Sequence, residues 1–234
     1  MKIRLFTIPN LVTLMNLLCG AAATVRALVY GDLTGAFYLL VLAAVFDFFD
    51  GFTARLLRVP STIGVELDSL ADDISFGLAP AAMLYALYLR MPTLCAGDAG
   101  GWICFVFSAC AALRLAKFNV DETQHTEFCG LPTPAATLLC ASVAMLVECH
   151  GLTLLREWVL VLAVGTALLM ISPVRMFSLK FAGAGWRGNE LRYLFLLLCA
   201  LLLAALREYA IPVIVLLYVL ISAIRWLSAL MAGE

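Results

Sequence analysis

From residue 11 to residue 227 the chain is a succession of apolar runs, each close to the length that crosses a lipid bilayer. A spanning helix needs roughly 20 mostly apolar residues, because about 30 Å of hydrocarbon must be covered at 1.5 Å per residue. Eight runs qualify, at residues 11–30, 33–56, 63–89, 102–118, 134–150, 159–174, 191–206 and 210–227. The third is long because it begins in the interface, and the sixth is short, so it is expected to be tilted or partly re-entrant. Composition agrees: 64% of residues are hydrophobic and 13% charged, unlike a soluble domain. A net charge of −1 gives no reason to expect a nucleic-acid partner. The expectation is an all-α integral membrane protein, a bundle of about eight transmembrane helices. It forms one domain over residues 1–234, with residues 1–9 as an interfacial segment and 191–234 as two extra C-terminal spans. Those two spans read as scaffold or as a homodimer surface.

Lys2 and Arg4 ahead of an apolar run imitate a signal peptide. The run is too long for one and ends near Arg26, so it reads as a retained first helix. Orientation follows from basic residues at the helix ends. One set of ends carries Lys2, Arg4, Arg55, Arg58, Arg114, Lys117, Arg175, Lys180, Arg187, Arg192 and Arg225; the other carries Arg26, Arg90, Arg156 and Arg207. The richer set is expected to be cytoplasmic, with both termini inside a multi-pass cytoplasmic membrane protein. The eight cysteines are scattered, with no Cys-x-x-Cys pair, and His125 and His150 lack ligand-spaced partners. This argues against a disulfide framework and against zinc.

Against this oily background the segment from Asp47 to Asp72 stands out. It reads Asp47-Phe-Phe-Asp50-Gly51-Phe-Thr-Ala54-Arg55, and then Gly64, Asp68 and Asp72 follow. A carboxylate in a membrane-length segment is costly, so a functional site is the default reading. Asp47 and Asp50 are three apart and share a helix face; Gly51 and Ala54 continue that stripe. Asp68 and Asp72 are four apart on the next helix, with Gly64 one turn earlier. Two helices joined by a short loop containing Pro60 are expected to pack antiparallel and bring the four carboxylates into one pocket. Four converging carboxylates repel unless divalent cations neutralise them, and oxygen ligands suit magnesium or manganese. Paired ions of this kind clamp phosphoryl groups during displacement. The set near the cytoplasmic end would meet a soluble head group there.

These residues resemble the signature of the CDP-alcohol phosphatidyltransferase family. All eight of its positions are matched, by Asp47, Asp50, Gly51, Ala54, Arg55, Gly64, Asp68 and Asp72. Further stretches are similar to the branch of that family that uses L-serine. They are Ile8-Pro-Asn-Leu11, Asn16-Leu-Leu-Cys-Gly20, Leu67-Asp-Ser-Leu-Ala-Asp72, Ser75-Phe-Gly-Leu-Ala-Pro-Ala81, Arg114-Leu-Ala-Lys-Phe-Asn119 and Gly130-Leu-Pro-Thr-Pro-Ala-Ala136. A weaker echo covers Val174 to Lys180. Two positions depart from the pattern: Asp73, where an apolar residue is usual, and Lys117, where arginine is expected.

The resemblance implies transfer of a phosphatidyl group from CDP-diacylglycerol to the L-serine hydroxyl, with CMP leaving. It implies two divalent ions, Mg2+ or Mn2+, on Asp47, Asp50 and Asp68, with Asp72 sharing an edge and acting as general base. Gly51 and Ala54 would admit the cytidine, and Arg55 would meet a phosphate or lock the carboxylates. Gly64 stands among the substrate-binding positions. For the serine carboxylate Arg114 is the first candidate, then Lys117 and Arg175; anchoring at the membrane surface is the competing reading for these cations. Sister enzymes that use glycerol 3-phosphate or inositol phosphate remain open, and so does, more distantly, a cation-coupled transporter. Asn10, Thr13 and Asn16 recur at offsets of three on the first helix and read first as interhelical hydrogen bonding. Ser75, Gly77 and Pro80 suggest a tightly packed, kinked span.

Overall fold

A computed structural model describes residues 6–57, 62–95, 97–120, 128–177 and 189–232. Lys2, Arg4, Arg58, Pro60, Lys180 and Arg187, and the polar loop 121–127, lie outside them. Each expected run contains helix, the sixth ending at Ile171, three residues early: α1 (Ile8–Val25), α2 (Leu33–Leu56), α3 (Thr62–Asp72), α4 (Ala79–Arg90), α5 (Val106–Val120), α6 (Thr133–His150), α7 (Arg156–Ile171), α8 (Glu190–Leu206) and α9 (Ala210–Ala232). A π-turn, Asp73–Leu78, joins α3 to α4 within one span, and a second, Arg26–Tyr30, extends α1. Among the described residues six helical stretches are long and apolar enough to cross a membrane, which makes this a multi-pass membrane protein. The last of them, Glu190–Met231, contains both α8 and α9, which are separated at Arg207, where φ is +51°. α7, with 16 residues, is the short run anticipated above.

Local chemistry sets the helix ends. Thr7 caps α1, its hydroxyl accepting from Asn10 N at 3.4 Å, and Pro9 occupies the first turn, where a missing N–H costs nothing. Asp32 caps α2 by accepting from Gly35 N at 2.6 Å. Gly31, at φ +66°, supplies the left-handed residue between the two helices. Glu148 of α6 adds a long-range cap: its carboxylate accepts from Leu33 N at 3.1 Å and Thr34 N at 2.7 Å, and pairs with Arg90 at 3.0 Å. Arg156 ties the same end together, donating to Met91 O at 2.8 Å and pairing with Asp98.

The interior is built on small side chains. Ala23, Ala27, Ala36, Ala79, Ala81, Ala111, Ala136, Ala144 and Ala163 are buried, so helices approach closely without large knobs. Large apolar residues such as Leu194, Leu197, Leu201, Leu216 and Leu220 point outward, as lipid contact requires. A two-residue antiparallel pairing, β1 (Phe128–Cys129) with β2 (Arg175–Met176), clasps the segment before α6 to the one after α7.

α1 is the organising element for the acids. It packs along α2 and also against α3 and the following π-turn, whereas among the described residues the backbones of α2 and α3 stay apart and the two helices meet through Asp47, Asp50 and Asp68. This corrects the expectation of a directly packed α2–α3 pair. Two faces lined with like charges gain nothing by direct contact, and the neutral, polar face of α1 supports both.

Candidate active site

Asp47 and Asp50 project from the C-terminal half of α2, and Asp68 from α3. One carboxylate oxygen from each comes within 4.8 Å of the others. Asp50 is 6% exposed, and its Oδ2 is buried without a hydrogen-bond partner; so is Asp68 Oδ1. Orphaned, buried oxygens are expensive and call for a ligand. The chemistry of the set, hard oxygens of one charge sign, fits a divalent cation of the magnesium or manganese type. These three acids could hold a metal ion.

Asp72 takes a different place. It lies in electrostatic range of Asp47, Asp68 and Asp50 but outside the trio of converging oxygens. Its Oδ1 accepts from Asn16 Nδ2 at 3.1 Å. Thr13, one turn earlier on α1, lies against the Asp50 carboxylate and donates to Pro9 O at 3.1 Å. The stripe of Asn10, Thr13 and Asn16 is buried. At Asn16 it does the interhelical bonding its spacing suggested, and the partner is one of the acids, Asp72. The offset of three within an apolar run carried that information; the identity of the partner did not follow from it.

The span after Asp72 is shaped by the π-turn. Ser75 donates to Asn16 O at 2.9 Å, and Thr137 of α6 donates to Phe76 O at 2.7 Å. Both bonds satisfy or brace backbone that departs from regular helix. Gly20 allows this: a Cβ there would lie 2.5 Å from Ser75 Cα. The kink read from Ser75, Gly77 and Pro80 is this turn. Asp73 is not part of the converging trio; its Oδ1 would be 2.8 Å from a Cβ placed on Gly77, on the side that meets Ala111.

The remaining signature residues fall into two groups. Gly51 and Ala54 are half-buried on α2 and Arg55 is exposed at its end, while Gly64 is half-buried in the first turns of α3. Around Gly51 there is open space: a Cβ built there meets nothing within 4 Å. Arg114 donates from Nη1 to Thr133 Oγ1 at 2.9 Å, its Nε is buried without a partner, and it lies in electrostatic range of Asp72. With Lys117, Cys129, Met170 and Ser172 it lines a cavity of about 330 Å³ between α5 and the end of α7. Arg175 is exposed on β2, paired through the backbone with Cys129, and does not line that cavity. The role of Thr133 was not legible beforehand, because nothing in Pro132-Thr-Pro134 points to an arginine 19 residues earlier.

Comparison with known proteins follows the same lines. Residues 6–169, which run from just before α1 into α7, match the CDP-alcohol phosphatidyltransferase family. The chain is 37% identical over 131 residues to a CDP-diacylglycerol–serine O-phosphatidyltransferase of Bacillus subtilis, covering 55% of this chain and 70% of that protein. It is 34% identical over 172 residues to the protein of the same name from Methanocaldococcus jannaschii, 74% of each chain. A Helicobacter pylori protein of that name is 32% identical over 232 residues, 95% of this chain and 92% of its own. With the acid signature in place and the match extending over most of its helices, the chain belongs to the CDP-alcohol phosphatidyltransferase family.

Proposed function

We propose that the chain transfers the phosphatidyl group of CDP-diacylglycerol to the hydroxyl of L-serine, giving phosphatidylserine and CMP. The observation that carries this reading is the separation of the acids. Three carboxylates converge, two of them, Asp50 and Asp68, with buried and unpartnered oxygens, and a fourth is held beside them by an amide. The shared name of the relatives supports serine as the acceptor.

Asp47, Asp50 and Asp68 would hold two divalent ions, Mg2+ or Mn2+, with Asp72 at their edge. When bound, such ions neutralise a diphosphate and stabilise its leaving oxygen. Asp72 receives the proton of the serine hydroxyl as the serine oxygen bonds to phosphorus and the bond to the CMP oxygen breaks. Gly51 and Ala54 leave room for the cytidine against α2, with Gly64 on the facing helix. Arg55 meets a phosphate at the rim. Arg114, oriented by Thr133 and in electrostatic range of Asp72, holds the serine carboxylate in the cavity it lines; Lys117 lends charge at its mouth, and Arg175 adds charge nearby. The acyl chains stay in lipid. We place the site at the cytoplasmic surface of the cell membrane, with both termini inside. The whole chain acts as one domain, and α8 and α9 offer the surface of a homodimer.

The test is CMP release by purified protein supplied with CDP-diacylglycerol, manganese or magnesium, and a panel of alcohols. L-Serine is expected to support release far above glycerol 3-phosphate or inositol phosphate. A preference for either phosphorylated acceptor would overturn the assignment.

A further inference from the structure

We propose that Asn16 is a positioning residue for the transfer step: it aims Asp72 at the acceptor. The inference rests on the serine-transfer reading above. Asn16 is fully buried, and its Nδ2 is 3.1 Å from Asp72 Oδ1. An ionised carboxylate only accepts, so the amide NH2 is the group that faces it. With Oδ1 engaged, the other oxygen of Asp72 is the one free to take a proton. Asn16 is itself held in place. Its backbone carbonyl accepts from Ser75 at 2.9 Å, and the lack of a Cβ at Gly20 lets the π-turn lie directly on α1. The residue that reaches Asp72 is thus fastened to the turn that begins immediately after Asp72. Regular helix carried through residues 73–78 would change the phase of Ser75 relative to Asp72, and one α1 face would not meet both.

The experiment measures CMP release by Asn16→Leu, a variant of similar size without a donor, in purified full-length protein. The expected result is a fall in kcat of about 10- to 100-fold, the range for losing a hydrogen bond to a charged group. The KM values for CDP-diacylglycerol and serine, and the manganese midpoint, stay within about twofold, the signature of an interaction used in the transition state. A merely structural asparagine would spread its loss over lipid KM, metal midpoint and thermal stability; that pattern, or full kcat, overturns the proposal. Should the leucine protein not accumulate, Asn16→Ser and Asn16→Ala decide. They leave the same cavity, but serine can pass a hydrogen bond to Asp72 through a water filling it. A severalfold higher kcat for serine supports the proposal, and equal values overturn it. Failure of the unaltered protein to use serine would instead refute the proposed function.

Discussion

Replacing Gly51 by alanine separates a packing role from a ligand role by sign. Gly51 lies inside α2, and a Cβ there meets nothing within 4 Å. No overpacking follows. Removing a glycine from a helix interior stabilises by roughly 0.5–1 kcal/mol, because glycine loses more freedom on folding. For a chain of this size that corresponds to a rise in Tm of about 1–4 °C. The same methyl group would occupy the open space beside Asp47, four residues earlier on the same face. If the nucleotide lies there, forcing it against the methyl costs about 1–3 kcal/mol, or roughly 5- to 150-fold in KM for CDP-diacylglycerol. Thermal unfolding in detergent and CMP release, measured on one preparation, read both quantities. A protein more stable and less able to use the lipid nucleotide is expected. A Gly51→Ala protein that is stabilised and fully active would refute the cradle, and a destabilised one would refute the open geometry.

Other substitutions discriminate in different ways. Gly20→Ala brings its Cβ 2.5 Å from Ser75 Cα, against ordinary contacts of 3.4–4 Å, so α1 and the π-turn must separate. A stability loss of about 1–3 kcal/mol and a fall in kcat are expected, and unchanged unfolding would contradict the close approach. Arg114→Ala should raise the KM for serine far more than that for CDP-diacylglycerol; equal changes would remove it from the acceptor site. Glu148→Gln, at the end that joins α2, α4 and α6, should cost about 1–3 kcal/mol of stability while kcat is kept. A large kcat effect would show that the network reaches the chemistry. Asp32 is held below the usual carboxylate range by the Gly35 N–H it accepts from, and further by Arg26. With its folded pKa depressed, its contribution is complete above the unfolded value of about 3.9 and is lost as pH falls through the folded one. The stability gap between the unaltered protein and Asp32→Ala should therefore be constant above pH about 5 and close under acid, and a gap that widens under acid would reverse the sign.

The helices were legible because apolar run length is a local property, and all eight runs contain helix. The acids were legible because a charge in lipid demands a reason, and the spacings of three and four state which faces they share. How those faces meet was not. The π-turn has no sequence rule of its own; Ser75, Gly77 and Pro80 marked only that something irregular happens there. The part α1 plays in bracing both α2 and α3 was missed because which helix packs beside which leaves no periodic trace in the sequence. Long-range partners, Glu148 with Leu33 and Thr34 or Thr133 with Arg114, join residues whose separate positions look ordinary. Asp72 shows the limit most clearly: spacing alone placed it with Asp68, whereas the Asn16 amide and its place outside the converging trio set it apart from the other three.

The most direct test of the whole account is manganese binding, followed by the loss of free-ion paramagnetic signal, in the unaltered protein and in one carrying Asp47→Asn, Asp50→Asn and Asp68→Asn together. The account predicts saturable uptake by the first, tightened by CDP-diacylglycerol, and none by the second. Equal uptake by both would contradict it.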